Sequence, residues 1–405
     1  MLLLYYRKRV IPMTDVKKLV EEYGDQIIKN RRYLHAHPEL SFQETNTAAW
    51  IRDHLTKAGI ELMPGITGNS TVGFLKGSQP GPSIGLRADF DALGLTETND
   101  LPYKSTNPGV MHACGHDAHA SILMAVAETL ARHRELVRGT VYFVFEQGEE
   151  FLPGGAQQLV KDGIMDHIDY MFAIHVNASA PLGQIDIHDG VRFAAVGTYD
   201  FKIRGKGGHG GFPHKANNPI FAASELVNDI ALIPALKCDP LANCTVSVSY
   251  LHCGVEGVAN VIPETVSMGG CVRVLDTDLR QSVMEEIERL GNSICAAHQC
   301  EVKTTMVYGY PACKNDASCV SIMQDTAGAM GITVIDCPPS LGAEDFGYFS
   351  EQKPAAVAWF GMGDPTGTHE LTPHHNPKFY LYDEKGLPLA LEYMLSVDLK
   401  AANTL

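Results

Sequence analysis

Apolar and polar positions repeat along the chain with two periods. From Thr14 to His35, Val16, Leu19, Val20, Tyr23, Ile27 and Ile28 recur at helical spacing among charged residues. The spacing predicts a helix with Thr14 or Asp15 as N-cap, stopping near His37-Pro38. A second helix is predicted over Thr45 to Ala58, closed by Gly59. Strand-like runs follow at Ile60 to Met63, Thr71 to Leu75 and Ser83 to Ala88, the last delivering Asp89 and Asp91 at its end. Ala120 to Arg134 reads as a helix, and Thr140 to Phe145, apolar on both alternating faces, as a fully buried strand. That strand ends at Glu146-Gln147-Gly148-Glu149-Glu150. After a helix from Gly154 to Asp162, a further buried strand, Tyr170 to Ile174, ends at His175-Val176-Asn177. Strand and helix alternating in this order predict an α/β domain with a mostly parallel sheet. Three successive strands ending in ligand-type residues place a site along one edge of that sheet.

Beyond Gly190 the pattern changes. Strands at Tyr199 to Arg204, Thr245 to His252, Thr265 to Leu275 and Val302 to Val307 surround helices at Asn218 to Leu232 and Leu279 to His298. Two helices over four mostly antiparallel strands predict an inserted α+β, ferredoxin-like domain over residues 191–308, leaving 14–190 and 309–405 as the first domain. In the returning part a helix is expected over Cys319 to Met330, then the loop Leu341 to Phe346, a strand from Ala355 to Phe360, and the tail Thr372 to Phe379.

At 405 residues the chain is too long for one ordinary core, in keeping with two domains. A formal net charge of -15 argues against a nucleic-acid or anionic-membrane surface. Ten cysteines without regular spacing read as free thiols in a reducing, cytoplasmic compartment, and the lack of Cys-x-x-Cys argues against a redox role. No apolar stretch is read as long enough to span a bilayer. The start, Leu2-Leu3-Leu4-Tyr5-Tyr6 before Arg7-Lys8-Arg9, has the reverse order of a secretory signal and reads as a loose extension, with Met13 an alternative start.

The densest chemistry lies in Met111-His112-Ala113-Cys114-Gly115-His116-Asp117-Ala118-His119, with a thiol, three imidazoles and a carboxylate. Together with Glu150, His175 and His375, the residues Cys114 and His116 make five soft or borderline donors from four separate loops. A single tetrahedral zinc needs four. Five fit two divalent ions better, with the Cys114 thiolate shared and Glu149, one position from a ligand, acting as general base. A thiolate favours zinc, whereas carboxylates also accept manganese; nickel and cobalt belong to the same candidate set. His374 competes with His375 for the last position, and only the neighbouring Asn-Pro-x-Phe bears on the choice. Asp89, Asp91 and Asp117 are expected to hold imidazoles in the ligating tautomer. His35, His37, His112 and His119 are read as structural. A catalytically silent metal-binding module is the alternative of another class, and Glu149 argues against it, because a sensor needs no base.

These residues resemble the metal-dependent amidohydrolases that include hippurate hydrolases, N-acyl-amino-acid amidohydrolases, indoleacetyl-amino-acid hydrolases and N-acetyl-diaminopimelate deacetylases, relatives of the glutamate carboxypeptidases and aminoacylases. The likeness runs nearly end to end. It is carried by Arg31 to Leu40, Leu86 to Leu93, MHACGHDAH at 111–119, the Glu149-Glu150 pair, Gly205 to Gly210, Asn260 to Glu264 and Gly342 to Phe346. The resemblance implies the same five ligands of two divalent ions, Glu149 as base, and an inserted domain that dimerises and closes over an N-acyl amino acid, in a homodimer or homotetramer. It also implies that His209 reaches a neighbouring active site to polarise the scissile carbonyl, and that Asn260 and Arg273 hold the substrate's oxyanion or carboxylate. A dipeptidase or carboxypeptidase on the same site is the other enzymatic reading. The family usually has Pro-Ala before the Glu pair, where this chain has Gln147-Gly148.

Overall fold

The N-terminal helical pattern is broken where glycine permits it. A computed structural model describes residues 13–366, 372–382, 384 and 386–405; the N-terminal extension expected before Met13 lies outside them. In place of one helix from Thr14 there are two, Met13–Tyr23 and Gln26–Ala36. Gly24 between them has φ +59°, and its N–H donates to Val20 O at 3.0 Å, closing the first helix as a left-handed C-terminal residue does. Thr14 and Asp15 lie inside that helix rather than capping it.

The chain divides into two units, one made of residues up to Gly190 with Lys314–Pro338 and Tyr348–Leu405, the other of Val191–Cys313 with Pro339–Gly347. The first is α/β. Its eight-stranded sheet has the order Glu61–Leu62, Thr71–Lys76, Arg138–Glu146, Gln79–Asp89, Tyr170–Pro181, Ala355–Gly363, Gln184–Asp186, Thr333–Ile335. Four of its seven pairings are parallel, including the three that join the central strands. Asp89 stands opposite Glu146, so neighbouring parallel strands deliver their terminal side chains together. Helix His116–Arg132 has fourteen of its seventeen residues buried. It packs with helices Gln26–Ala36 and Gly386–Thr404 over a core that includes Ile84, Leu86, Phe143, Phe145 and Phe172.

The second unit holds a four-stranded antiparallel sheet in the order Cys244–Cys253, Thr265–Val274, Ala195–Arg204, Glu301–Tyr308. Helices Pro219–Lys237 and Thr277–Ala297 pack on it around Phe201, Leu226, Met268 and Ile287. Pro339–Gly347, expected with the first domain, groups here instead: Ala194 N–H donates to Gly342 O and Ser340 N–H to Arg192 O, each at 2.9 Å. Helix Pro219–Lys237, with 19 residues and a mean hydropathy of 1.4, is long and apolar enough by composition to cross a membrane, which corrects the reading that no stretch is. Its Ala222, Ala223, Leu226, Ile230 and Ile233 are buried within the unit.

Candidate metal centre

Helix His116–Arg132 begins four residues earlier than its apolar pattern suggested, so His116 sits in its first turn. Gly115 makes this possible. Its φ is +91°, and a Cβ there would lie 2.4 Å from Val176 Cγ2, so only glycine lets the Cys/His loop close onto the strand carrying His175. Cys114, His116 and His175 offer donor atoms within 4.8 Å of one another, as do Cys114, Glu150 and His375, and His116, Glu149 and Glu150. All five expected ligands and the expected base therefore converge within the first unit.

Hydrogen bonds fix which ring nitrogens face inward. His175 Nδ1 donates to Val176 O at 2.8 Å, leaving its Nε2 lone pair 3.5 Å from Cys114 Sγ. His116 Nδ1 donates to Asp91 Oδ1 at 2.9 Å, and its buried Nε2 has no hydrogen-bond partner among the described residues, with Glu150 Oε1 3.9 Å away. His375 Nε2 lies 3.0 Å from Glu150 Oε1. His374 is taken up elsewhere: its Nε2 donates to Val176 O at 2.9 Å, and its ring rests against Trp359 and Phe379. His375 adopts φ +61°, held by its N–H bond to Ala113 O at 2.8 Å. Of the two histidines, His375 is the one whose ring nitrogen lies beside Glu150 and Cys114.

Electrostatics show what the cluster needs. Burial, with Glu150 and Glu149 nearby, pushes the Cys114 thiol well above its ordinary value. Burial opposes a charge on His116, yet Asp89, Asp91 and Glu150 outweigh it and raise the imidazole to about 10. The Glu150 hydrogen bond raises His375, whereas burial drives His175 well down. The buried carboxylates hold protons on His116 and His375; cations in place of those protons would let the thiol ionise and leave the imidazoles neutral, the forms that bind metal. The unpartnered His116 Nε2 and the mixed sulfur, nitrogen and oxygen donors fit borderline divalent ions.

Of the aspartates expected to hold ligating imidazoles, Asp91 makes that contact. It accepts from His116 Nδ1, from Glu150 N–H at 3.0 Å and from Ser41 Oγ at 2.7 Å, orienting two candidate ligands at once. Asp89 is 3.6 Å from His116 Nδ1 and instead accepts from His119 Nδ1 at 2.6 Å while pairing with Arg87 at 2.7 Å. Asp117 faces away, to Arg31 Nε and His35 Nδ1, both at 2.8 Å. His119 is a residue that sequence reasoning undervalued. Its Nε2 accepts the Val176 N–H at 2.8 Å, so both ring nitrogens are engaged and it is no ligand. The signal was its i+3 spacing from His116, which puts both rings on one face of the helix.

His209, Asn260 and Arg273 belong to the second unit. His209 is exposed in a short ribbon, Gly208–His209 against Val261–Ile262, and its Nδ1 accepts from Gly211 N–H at 3.0 Å. Asn260 adjoins it, its carbonyl accepting the Gly210 N–H at 2.8 Å. Arg273 sits in strand Thr265–Val274 between the buried Val272 and Val274, opposite Val196 and Thr245.

The profile of peptidase family M20/M25/M40 matches residues 85–397. An N-acyl-L-amino acid amidohydrolase of Geobacillus stearothermophilus is 38% identical over 296 residues, covering 73% of this chain and 80% of that protein. Thermostable carboxypeptidase 1 of Saccharolobus solfataricus is 35% identical over 379 residues, 92% of this chain and 95% of its own length. The crystal structure of Bacillus subtilis YXEP protein, described as a dinuclear metal binding peptidase, superimposes with a TM-score of 0.79 at 30% identity, covering 95% of this chain and 100% of that one.

Proposed function

The chain belongs to peptidase family M20/M25/M40, and from that premise we propose that it is a metal-dependent amidohydrolase cleaving N-acyl amino acids into a carboxylic acid and the free amino acid. The observation that carries this reading is Glu149, 7% exposed, within 4.8 Å of the His116 and Glu150 donor atoms and so beside the donor set. Cys114, His116, Glu150, His175 and His375 are the residues that would hold two divalent ions, with zinc, manganese, nickel and cobalt as candidates. When bound, such ions acidify water and polarise a carbonyl.

Glu149 then takes the proton from the attacking water and returns it to the leaving amine, one carboxylate serving as base and acid in turn. Asp91 keeps His116 and Glu150 in register with it. His209 is the proposed donor to the developing oxyanion, and Asn260 and Arg273 the proposed contacts for substrate oxygens. The proposed assembly is a homodimer or homotetramer formed through the second unit. Phe221 and Leu236 on helix Pro219–Lys237, with Tyr250 and Leu251 on edge strand Cys244–Cys253, are exposed there and support it. Ten free thiols support a reducing, cytoplasmic setting.

The carboxypeptidase relative supports a second reading, cleavage of a peptide bond at the same site. A panel separates the two: N-acetyl and N-benzoyl amino acids against dipeptides, after reconstitution with zinc, manganese, nickel or cobalt. The expected result is kcat/KM at least about tenfold higher for N-acyl amino acids, a difference of about 1.4 kcal/mol in barrier. A preference for dipeptides would replace the first reading with the second.

A further inference from the structure

All ten cysteines are free thiols, and one pair stands apart from the rest. Cys238 ends helix Pro219–Lys237 in extended backbone, and Cys244 opens strand Cys244–Cys253. Their sulfurs are 3.0 Å apart. That is closer than unbonded sulfurs ordinarily rest, and about 1 Å from the bonded length of about 2.05 Å. The backbone sets this approach. Asp239 Oδ1 accepts the Leu241 N–H and Asp239 O accepts the Ala242 N–H, both at 2.8 Å, turning the chain back between the two cysteines. Cys244 is held from its other side by pairing with Val274. Cys238 is buried and Cys244 half-buried, so Cys244 is the sulfur a small reagent meets first, with Cys238 behind it. Another close pair in sequence, Cys295 and Cys300, differs: the Cys300 thiol points to His298 O at 3.5 Å.

We propose that Cys238 and Cys244 form a dithiol modification site that takes up an intrachain disulfide from a low-molecular-weight disulfide, stapling the helix to the edge strand. The thiolate of one cysteine attacks the reagent, breaking its S–S bond, forming a mixed disulfide and releasing one reagent thiol. The second cysteine, as thiolate, attacks the protein sulfur of that mixed disulfide and releases the second reagent thiol. The protein loses two electrons and two protons, and the reagent gains both.

The test treats the native full-length chain with excess oxidised glutathione, blocks remaining thiols with iodoacetamide and maps the peptides without reduction. The expected product is two hydrogens lighter at this turn, with fragmentation placing the link between 238 and 244 in most molecules, and dithiothreitol reversing it. Cys238→Ser and Cys244→Ser should each lose the link and carry one glutathione on the remaining sulfur. Glutathione on both positions without a link, an unmodified pair, or a link formed only elsewhere, such as 295 to 300, would overturn the proposal. None of these readouts depends on hydrolysis.

Discussion

His119 shows how a residue outside the donor set governs it. Its ring joins Asp89 to the Val176 amide, and the Val176 carbonyl in turn accepts from His175 and His374. The backbone N–H and carbonyl of this one residue thus tie together three elements that carry candidate ligands. Outer partners of this kind typically change metal affinity by about 10- to 100-fold. His119→Ala is expected to weaken metal binding by about that factor, read by calorimetric titration of the metal-free chain, with far-ultraviolet dichroism unchanged. Parent affinity in the folded variant would remove His119 from this role. At this scale the ligand types were legible, because a thiol and imidazoles crowded within nine residues are rare. Their partners were legible only as a set of three aspartates: Asp91 lies about sixty residues from Glu150 in sequence, and nothing local distinguishes it from Asp89 or Asp117.

At the scale of elements, the helix starting at His116 was legible only in part. It is buried all round, so its first turn carries polar side chains inward and no amphipathic stripe marks its beginning. The buried strands were legible because their apolar residues occupy both faces, and glycine breaks such as Gly24 were not, since the periodicity continues past them. The departure at Gln147-Gly148 also has its reason here: Gly148 has φ +68°, and a Cβ there would come within 2.7 Å of the Phe42 ring. Helix Gly386–Thr404 buries Asp398, and burial raises its carboxyl to about 7. An acid raised in the folded state binds its proton more tightly there than in the unfolded chain, where it titrates near about 3.9. The parent therefore loses stability as pH rises from about 4 to about 7 on this residue's account. Asp398→Asn should remove that slope, so the variant's Tm relative to the parent should be higher at pH 8 than at pH 5, measured by calorimetry. A difference in Tm that does not change with pH would contradict the assignment.

For the molecule as a whole, two units with separate cores were legible from the change in strand and helix order near Gly190. The place of Pro339–Gly347 was not, because the backbone bonds that join it to Arg192 and Ala194 leave no side-chain pattern in the sequence. The exposed apolar residues of helix Pro219–Lys237 bear on assembly. If the proposed assembly through this helix forms, Phe221→Glu combined with Leu236→Glu should shift the parent's oligomer to a monomer in sedimentation at micromolar concentration, because like charges would face each other across a symmetric contact. A parent that is itself monomeric would contradict the proposal. An unchanged oligomer would place the interface elsewhere.

The most direct measurement compares the parent with Glu149→Gln for bound metal and for hydrolysis of an N-acetyl amino acid. The account predicts about two equivalents of divalent metal in both proteins, with kcat in the variant lower by a factor of about 10² to 10⁴, the range for losing a general base. A variant that turns over at the parent rate, or a parent that takes up no metal, would contradict it.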